Sequence, residues 1–262
     1  MMNCGLSTAC MYPQLLDDTV KAFAAYPVEN IEIFLNTESE LHPLYLRELK
    51  IALDNAGVKC AAVHPYTSVM ETVMFFSPYE RRVPDVLEYY RKYFNAMNIL
   101  GASIFVFHGA KVNAGVSEQL YFDRYGRLLE LAKIFGVKVA QENVGACMGH
   151  SVDFLVKLMS YFRDSAAFVL DVKQALRGNA DVFELIDVLA DRIVHVHISD
   201  SALGHDCLLP GEGTANLTGV LRGLKNAGFD GTVILEVYRD NFGDIEDLFD
   251  GYLALEHMVR IA

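Results

Sequence analysis

Short apolar runs rich in β-branched residues recur along the chain, and a longer stretch with helical spacing separates each run from the next. Eight such runs can be counted: MNCGLST, NIEIFLN, KCAAVHPY, SIFVFHG, KVAQENV, AFVLDVK, IVHVHISD and TVILEVY. In the stretches between them, such as LLDDTVKAFAAY and YLRELKIALDNAG, apolar residues repeat at intervals of three and four. Strands that alternate with helices predict a parallel sheet.

Eight strands and eight helices either close into a barrel or lie open as a doubly wound sheet, and the count alone does not decide. The first strand lacks the GxGxxG turn that is the commonest reason to prefer the open sheet. The length of 262 residues suits one α/β barrel of roughly 250 residues, and no linker divides the chain. We therefore expect a single-domain (β/α)8 TIM barrel over residues 1–262, with the C-terminal stretch IEDLFDGYLALEHMVRIA as its last outer helix.

Composition and charge narrow the class of protein. Hydrophobic residues make up 52% of the chain, which suits a large buried core. The first residues lack a basic start, and no run approaches the roughly 20 apolar residues of a membrane span, so we expect a cytoplasmic protein without a membrane partner. Five scattered cysteines without CxxC spacing indicate reduced thiols. The net charge of −12 argues against a nucleic-acid partner, whose phosphates require Lys and Arg.

Candidate chemistry lies at the ends of the strands. In a parallel barrel the functional face is the one at the carboxyl ends of the strands, and inward-pointing residues alternate with period two. The residues that end the last four strands on an inward position are Glu142, Asp171, His197 and Glu236. Two earlier strands end in the same way, with His64 and His108. We therefore expect these side chains to converge on one rim.

A carboxylate at the end of an apolar strand is costly to bury unless it meets a cation or a hydrogen-bond network. Two glutamates, one aspartate and one histidine form a mostly oxygen set, which suits Mn²⁺, Mg²⁺ or Co²⁺, with Zn²⁺ also possible. A substrate with adjacent hydroxyl and carbonyl oxygens would chelate such an ion, and the ion would stabilise the enediolate that forms on proton removal. Glu142 and Glu236 are then the candidate base and acid.

Further residues are expected to contact the substrate. Lys173 shares the inward parity of Asp171 and would bind substrate oxygens or a phosphate, with a barrel carboxylate as its alternative partner. Arg177, placed in the loop after the sixth strand, is a comparable candidate, with a solvated loop as the alternative. Glu32 either orients a sugar hydroxyl or pairs with a neighbouring strand. The expected substrate-binding residues are His64, His108, Lys173, Gln174, His205, Glu32 and Arg177.

On these motifs the chain resembles the xylose isomerase-like TIM barrels, which include sugar phosphate isomerases and epimerases, ketose 3-epimerases, inosose dehydratases and type IV apurinic endonucleases. The resemblance spans essentially the whole chain, and its most specific parts are QENV, LDVKQ, HVHISD with the LPGEG loop, and ILEVY. In the epimerase branch, the equivalents of four residues hold one divalent metal: Glu142, Asp171, His197 and Glu236. The resemblance further implies that the two glutamates exchange protons with the substrate.

The chain also departs from these relatives. Gln174 stands where many have a histidine, and His205-Asp206-Cys207 stands where many have Asp-x-His. The phosphodiesterase branch builds a three-zinc cluster from those extra ligands together with the equivalents of His64 and His108. These changes should impair such a cluster, although His205 could still supply a ligand. Together with the acidic net charge, they argue against DNA cleavage.

We expect a divalent-metal-dependent isomerase or epimerase of a small sugar or sugar phosphate, which works by proton transfer next to a carbonyl. An inosose dehydratase-like lyase is the alternative, followed by a zinc phosphodiesterase of the endonuclease type and a barrel that binds a ligand without turnover. A homo-oligomer is compatible with the sequence. The stretch PYTSVMETVMFFSPYERRV either covers the ligand, forms a subunit contact or packs into the top of the barrel.

Overall fold

Eight parallel strands close into a barrel in the computed structural model, which describes residues 2–66 and 70–262. In chain order the barrel strands are β1 Asn3–Ser7, β2 Asn30–Leu35, β3 Lys59–Pro65, β4 Ile104–Phe107, β5 Lys138–Glu142, β6 Phe168–Asp171, β7 Ile193–Ile198 and β10 Thr232–Leu235. The first and last of these strands pair in parallel, with Asn3 opposite Thr232 and Leu6 opposite Leu235. The predicted TIM barrel is confirmed.

The helices follow the strands along the chain. They are α1 Leu16–Ala24, α2 Pro43–Ala56, α3 Arg82–Leu100, α4 Glu118–Phe135, α5 Val152–Phe162, α6 Val172–Arg177, α7 Val182–Leu189, α8 Leu217–Asn226 and α9 Ile245–Ile261. Helices α2 and α3 end at Gly57 and Gly101, whose φ angles of 73° and 81° lie in the left-handed region that stops a helix. The C-terminal helix α9 was predicted from its apolar spacing.

The lumen of the barrel has two layers. The lower layer is a closely packed apolar cluster, and its members are Ala62, Val106, Ala140, Ala167 and Val169. The upper layer begins two residues further along the same strands, where period two returns the side chain to the lumen. Ala140 is followed by Glu142 in this way, and Val169 by Asp171. At four places, a step of two residues exchanges a packing residue for one that can bind a ligand: Ala62 to His64, Val106 to His108, Ala140 to Glu142 and Val169 to Asp171.

A hairpin that the sequence analysis did not predict follows β7. Its strands are β8 Asp200–Ala202 and β9 His205–Leu208, and they pair in antiparallel fashion around the turn at positions 203 and 204. Gly204 has a φ of 78°, so this turn requires a left-handed residue. The only local signal in the sequence was this one glycine, which explains why the two short strands were missed.

The backbone after β6 differs from the prediction. Oδ1 of Asp171 accepts a hydrogen bond from the backbone N–H of Gln174 at 2.8 Å, and this cap starts α6 at Val172. The placement of Arg177 in a loop was therefore wrong, because Arg177 is the last residue of α6. Strand parity does not apply to Lys173 either, since this residue lies in the first turn of a helix.

The aromatic stretch after β3 is partly described. Residues 67–69 lie outside the described residues, and Glu71–Phe75 forms one turn of π-helix. Phe75 and Phe76 are buried, which favours packing into the barrel among the three alternatives for this stretch. All five cysteines are buried free thiols. No helix in the described part of the chain is both long and apolar enough to cross a membrane.

Candidate metal centre

Three carboxylates converge on one nitrogen of His197 at the upper layer of the lumen. Nδ1 of His197 lies 3.2 Å from Oε1 of Glu142, 3.8 Å from Oδ2 of Asp171 and 3.7 Å from Oε2 of Glu236. These residues come from β5, β6, β7 and the position directly after β10. The four side chains that the sequence singled out as metal ligands are thus brought together.

The opposite nitrogen of the same ring points down into the barrel. Nε2 of His197 lies 2.8 Å from Oε2 of Glu32, and Nε2 of His195 lies 2.9 Å from that same oxygen. The other oxygen of Glu32 accepts a hydrogen bond from Oγ of Ser7 at 3.3 Å. A carboxylate that accepts the Nε2 proton leaves the lone pair on Nδ1 free to bind a cation, as carboxylates behind metal-binding histidines commonly do.

A second group of potential ligands shares Glu142. Nε2 of His108 lies 2.9 Å from Oε2 of Glu142 and 2.9 Å from Nε2 of His64. Nε2 of His64 is 3.9 Å from the same carboxylate oxygen. Ligand atoms of these three residues lie within 4.8 Å of one another, as do those of Glu142, Asp171 and His197. Glu142 therefore stands between two groups that could each hold a cation.

Two carboxylate oxygens at this place are buried without a hydrogen bond. They are Oε2 of Glu142 and Oδ2 of Asp171, neither of which has an aligned donor among the described residues. The short approach of His108 to Oε2 of Glu142 lacks the alignment of a hydrogen bond. Buried oxygens without donors are costly, and a cation satisfies them. The donor set therefore fits a divalent metal ion.

The electrostatics of the centre also favour a positive charge. Burial raises the pKa of Glu142, but His108 and His197 outweigh it and hold that pKa well below its ordinary range. Burial lowers the pKa of His197, but Glu32 and Glu236 outweigh it and raise that pKa well above its ordinary value. The carboxylates thus create a field that holds a cation at Nδ1 of His197, either a proton or a metal ion.

Lys173 is buried and bound to two of these carboxylates. Its Nζ donates to Oε2 of Glu236 at 2.9 Å and lies 3.5 Å from Oδ2 of Asp171. Burial lowers the pKa of Lys173, but Asp171 and Glu236 outweigh it, so that pKa is raised well above its ordinary value. Of the two alternatives for Lys173, the structure contains the pair with barrel carboxylates.

A cavity of about 430 Å³ lies over the centre. Its floor is polar and includes His64, His108, Glu142, Lys173 and Glu236. Its wall is largely aromatic and includes Tyr12, Phe34, Tyr66 and Tyr238. Asp171 and His197 are 1% exposed and lie beneath the floor. A cavity of this size, with an aromatic side and a few polar groups, is typical of a small-molecule site.

The remaining predicted residues lie in different places. Gln174 lines the cavity, and its Oε1 accepts a hydrogen bond from the backbone N–H of Gly145 at 3.0 Å. Glu32 is fully buried beneath the centre and does not line the cavity. Arg177 is bound to Asp206 beside the cavity wall. His205 is exposed on the hairpin and does not line the cavity.

The aromatic wall was not predicted from the sequence. Phe34 shares strand parity with Glu32 on β2, so the period of two was a signal that would have found it. Tyr238 lies beyond the end of β10, where strand parity no longer applies. Tyr12 and Tyr66 lie in loops after β1 and β3, where no periodicity places a side chain.

Residues 20–256 match the family model described as xylose isomerase-like TIM barrel. An inosose isomerase of Halalkalibacterium halodurans is 31% identical over 125 residues, which are 44% of this chain and 44% of that protein. A D-tagatose 3-epimerase-like protein of known structure has a TM-score of 0.82 at 22% identity and covers 99% of this chain and 98% of its own. The structure of the IOLI protein with a bound zinc atom has a TM-score of 0.78 at 20% identity, with 98% of each chain covered.

Proposed function

Because the chain belongs to the xylose isomerase-like TIM barrel family, we propose that it is a divalent-metal-dependent isomerase or epimerase of a small sugar or polyol ketone. One observation carries the proposal, namely the convergence of three carboxylates on Nδ1 of His197 directly beneath the cavity. The buried oxygens of Glu142 and Asp171 that lack donors support the same conclusion.

The proposed metal ligands are Glu142, Asp171, His197 and Glu236. A divalent ion held there would polarise the carbonyl group of the substrate and stabilise the negative charge that develops when the neighbouring carbon loses a proton. Glu32 would act through His197, since it accepts the Nε2 proton and so directs Nδ1 towards the carboxylates.

Glu142 and Glu236 are the proposed proton carriers. Both line the cavity, and they come from barrel strands that are separated by β6 and β7. They therefore approach a bound carbon atom from different sides, so one carboxylate can remove a proton and the other can return it. His64 and His108 complete the polar floor and would bind substrate oxygens.

The relatives support the class of reaction and the need for a metal. The partial relative is named an inosose isomerase, and a solved structure of the same fold carries a zinc atom. Neither relative defines the substrate or the ion of this protein. Manganese, magnesium and cobalt remain the proposed ions because the ligand set is mostly oxygen.

Proton exchange with solvent tests the proposal. The protein is loaded in turn with Mn²⁺, Co²⁺, Mg²⁺ and Zn²⁺ and incubated in deuterium oxide with free ketoses, their phosphates and inososes. We expect deuterium at the carbon next to the carbonyl, and its loss in Glu142→Gln and Glu236→Gln. Glu130→Gln, an exposed change on α4, is the matched control. Exchange that persists in both site variants would contradict the assignment of the two glutamates.

A lyase of the inosose dehydratase type is the first alternative, because the same residues can remove water from a keto-polyol. The partial likeness to an inosose isomerase favours an inosose in the substrate panel. A new ultraviolet absorbance with loss of water would favour the lyase. Deuterium incorporation without loss of water would favour isomerisation or epimerisation.

A zinc phosphodiesterase is the second alternative, because His64, His108 and Glu142 form a further ligand group beside the first. The positions that would complete a three-metal cluster do not supply ligands to this centre. Gln174 lines the cavity, but its Oε1 accepts the backbone N–H of Gly145. Sγ of Cys207 contacts the backbone oxygen of Glu236 at 3.7 Å, and His205 is exposed on the hairpin. Metal analysis that finds one ion per chain would support the isomerase, whereas two or three zinc ions would favour the phosphodiesterase.

A further inference from the structure

We propose that the substrate is an uncharged ketose or cyclic polyol ketone, that a sugar phosphate is rejected, and that Asp206 is a specificity-determining residue in this choice. The inference rests on the proposed function and narrows its substrate class. It follows from the partners that the charged side chains and the backbone N–H groups near the cavity already have.

The side chains among the described lining residues that could bind a phosphate through positive charge are Lys173 and the imidazoles of His64 and His108. Nε2 of His108 already lies 2.9 Å from Oε2 of Glu142 and 2.9 Å from Nε2 of His64. Nζ of Lys173 is already bound between Oε2 of Glu236 at 2.9 Å and Oδ2 of Asp171 at 3.5 Å. The ammonium group also lies 5.0 Å from the ring centre of Tyr238. A phosphate could recruit Lys173 only by displacing a buried carboxylate, which would then lose its partner.

Arg177, the next cation, lies beside the aromatic wall and also has partners within the protein. Its Nε lies 2.6 Å from Oδ2 of Asp206, and its Nη1 donates to the hydroxyl of Tyr238 at 2.7 Å. The side chains of Arg177 and Asp206 are each 33% exposed, so the pair is partly screened by solvent but held from two sides. Asp206 thus neutralises the guanidinium group that is best placed to attract an anion to the cavity wall.

The backbone donors of the glycine-rich loop are occupied as well. In many TIM barrels the loops after the seventh and eighth strands bind phosphate through backbone N–H groups. Here Oδ2 of Asp200 accepts the N–H groups of Gly211 and Gly213, at 2.9 and 3.1 Å, and Oδ1 accepts that of Ala215 at 3.1 Å. A side-chain carboxylate therefore fills the place that an anion would take.

The cation in the loop after the last barrel strand, Arg239, is also bound within the protein. Arg239 directs its guanidinium group to the backbone oxygens of Phe242 and Gly243, at 2.9 and 2.8 Å. These two hydrogen bonds hold the loop between β10 and α9 in place, and they occupy two N–H donors of Arg239. The guanidinium group is thus used to hold the chain.

The lining of the cavity suits an uncharged ligand. Its carboxylates, Glu142 and Glu236, can accept hydrogen bonds from hydroxyl groups, and its aromatic wall can cover the apolar face of a sugar. His108 and Lys173 are already paired with these carboxylates, so a phosphate would have to displace one of them.

Matched pairs of ligands test the substrate class. Deuterium exchange by the metal-loaded protein is measured on D-fructose against D-fructose 6-phosphate and on D-ribulose against D-ribulose 5-phosphate, with an inosose as the cyclic probe. We expect kcat/KM for an exchanging free ketone to exceed that for its phosphate by about tenfold or more. An equal or higher value for the phosphate would overturn the proposal.

The variant Asp206→Asn tests whether Asp206 determines the preference for a free sugar over its phosphate. This change leaves Arg177 without its carboxylate, and we expect the preference for the free sugar over its phosphate to fall by about tenfold. The matched control is Asp164→Asn, which removes the same kind of ion pair, with Arg192 at 2.9 Å, remote from the cavity. If both variants keep the wild-type preference, Asp206 is not a specificity-determining residue.

Calorimetry on the metal-free protein separates this inference from the proposed function. Inorganic phosphate is titrated into wild type, Asp206→Asn and Asp164→Asn. We expect saturable binding only to Asp206→Asn, and binding to the wild type with a Kd below about 1 mM would overturn the inference. If no ketone in the panel exchanges deuterium, the proposed proton transfer is wrong, while the phosphate titration still decides whether the cavity excludes the anion.

Discussion

The two layers of the barrel lumen differ in chemistry although the same strands build them. The lower layer consists of small aliphatic side chains such as Val106 and Val169, which pack against one another and exclude water. The upper layer consists of carboxylates and imidazoles that are almost equally buried, including Glu142 and Asp171. From the third to the sixth barrel strand, one step of two residues thus separates residues that stabilise the fold by packing from residues that can bind a ligand.

The difference in energetics explains why the upper layer is informative. An aliphatic residue in the lower layer needs no partner, because burial alone stabilises it by about 25 cal/mol for each Å² of apolar surface. A buried carboxylate needs partners, and Oδ2 of Asp171 lacks a hydrogen bond within the described structure. We therefore expect substitutions in the upper layer to change function more than stability, and those in the lower layer to do the opposite.

The largest effect is expected from the two proposed proton carriers. Glu142→Gln and Glu236→Gln keep the shape of the side chain but cannot accept a proton, so we expect the exchange rate to fall by roughly 10²- to 10⁴-fold. Because Glu142 is paired with His108 and Glu236 with Lys173, each variant leaves a buried cation with one partner fewer, so the metal-free protein should unfold at a lower temperature than the wild type. A loss of exchange no larger than the loss of folded protein would erase the distinction between the layers.

Metal loading should stabilise the protein through the upper layer alone. At a free ion concentration of about 100 times Kd, the free energy of unfolding should rise by about 2.7 kcal/mol. Asp171→Asn should lose most of this gain, while Asn can still cap α6 as Asp171 does. Denaturant titration with and without Mn²⁺ measures both values. An unchanged gain in the variant would show that the ion binds elsewhere.

Glu32 lies just below the proposed metal ligands. Substituting it shows whether a residue that does not bind the metal itself still affects metal affinity. Glu32→Gln weakens the acceptor that holds Nε2 of His197, so we expect the metal affinity to fall by roughly 10- to 100-fold. Calorimetry of metal binding measures this change. Ser7→Ala is the control, since Ser7 contacts the other oxygen of Glu32 at 3.3 Å. A similar loss in both variants would assign the effect to packing.

The smallest effect is expected in the lower layer. Val169→Ala removes two buried carbon atoms and should lower the free energy of unfolding by about 1.6 kcal/mol. Metal affinity should stay at its wild-type value, because Val169 lies a full step below Asp171 on β6. Chemical denaturation and metal calorimetry on the same samples test the pair of expectations. A loss of metal affinity without a loss of stability would contradict the proposal that the lower layer stabilises the fold and the upper layer binds the metal.

Much of this arrangement could be predicted because it follows from period two and parallel topology. Glu142, Asp171 and His197 end their strands on inward positions, so their convergence needed no distance information. The contact of Glu32 with His195 and His197 could not be predicted in the same way, because β2 and β7 are separated in the barrel by β1 and β10. Such contacts across the lumen leave no local pattern.

Helical residues and loops were harder to place. Lys173 was expected near the substrate on strand parity, but it reaches Glu236 from the first turn of α6. Its flexible side chain can point in several directions, and only the packed structure selects one. The hairpin of β8 and β9 and the loop residues Tyr12 and Tyr66 were not predicted for a related reason, since irregular backbone carries no repeat.

The site is also divided along the length of the chain. All four proposed metal ligands lie between positions 142 and 236, whereas most of the aromatic wall comes from Tyr12, Phe34 and Tyr66 in the first quarter of the sequence. Under the proposed function, the residues of the reaction and most of those that contact the ligand lie in separate stretches of the chain. Substitutions in the early segments would then change which ligand is accepted, while the later strands keep the metal ligands and the proton carriers.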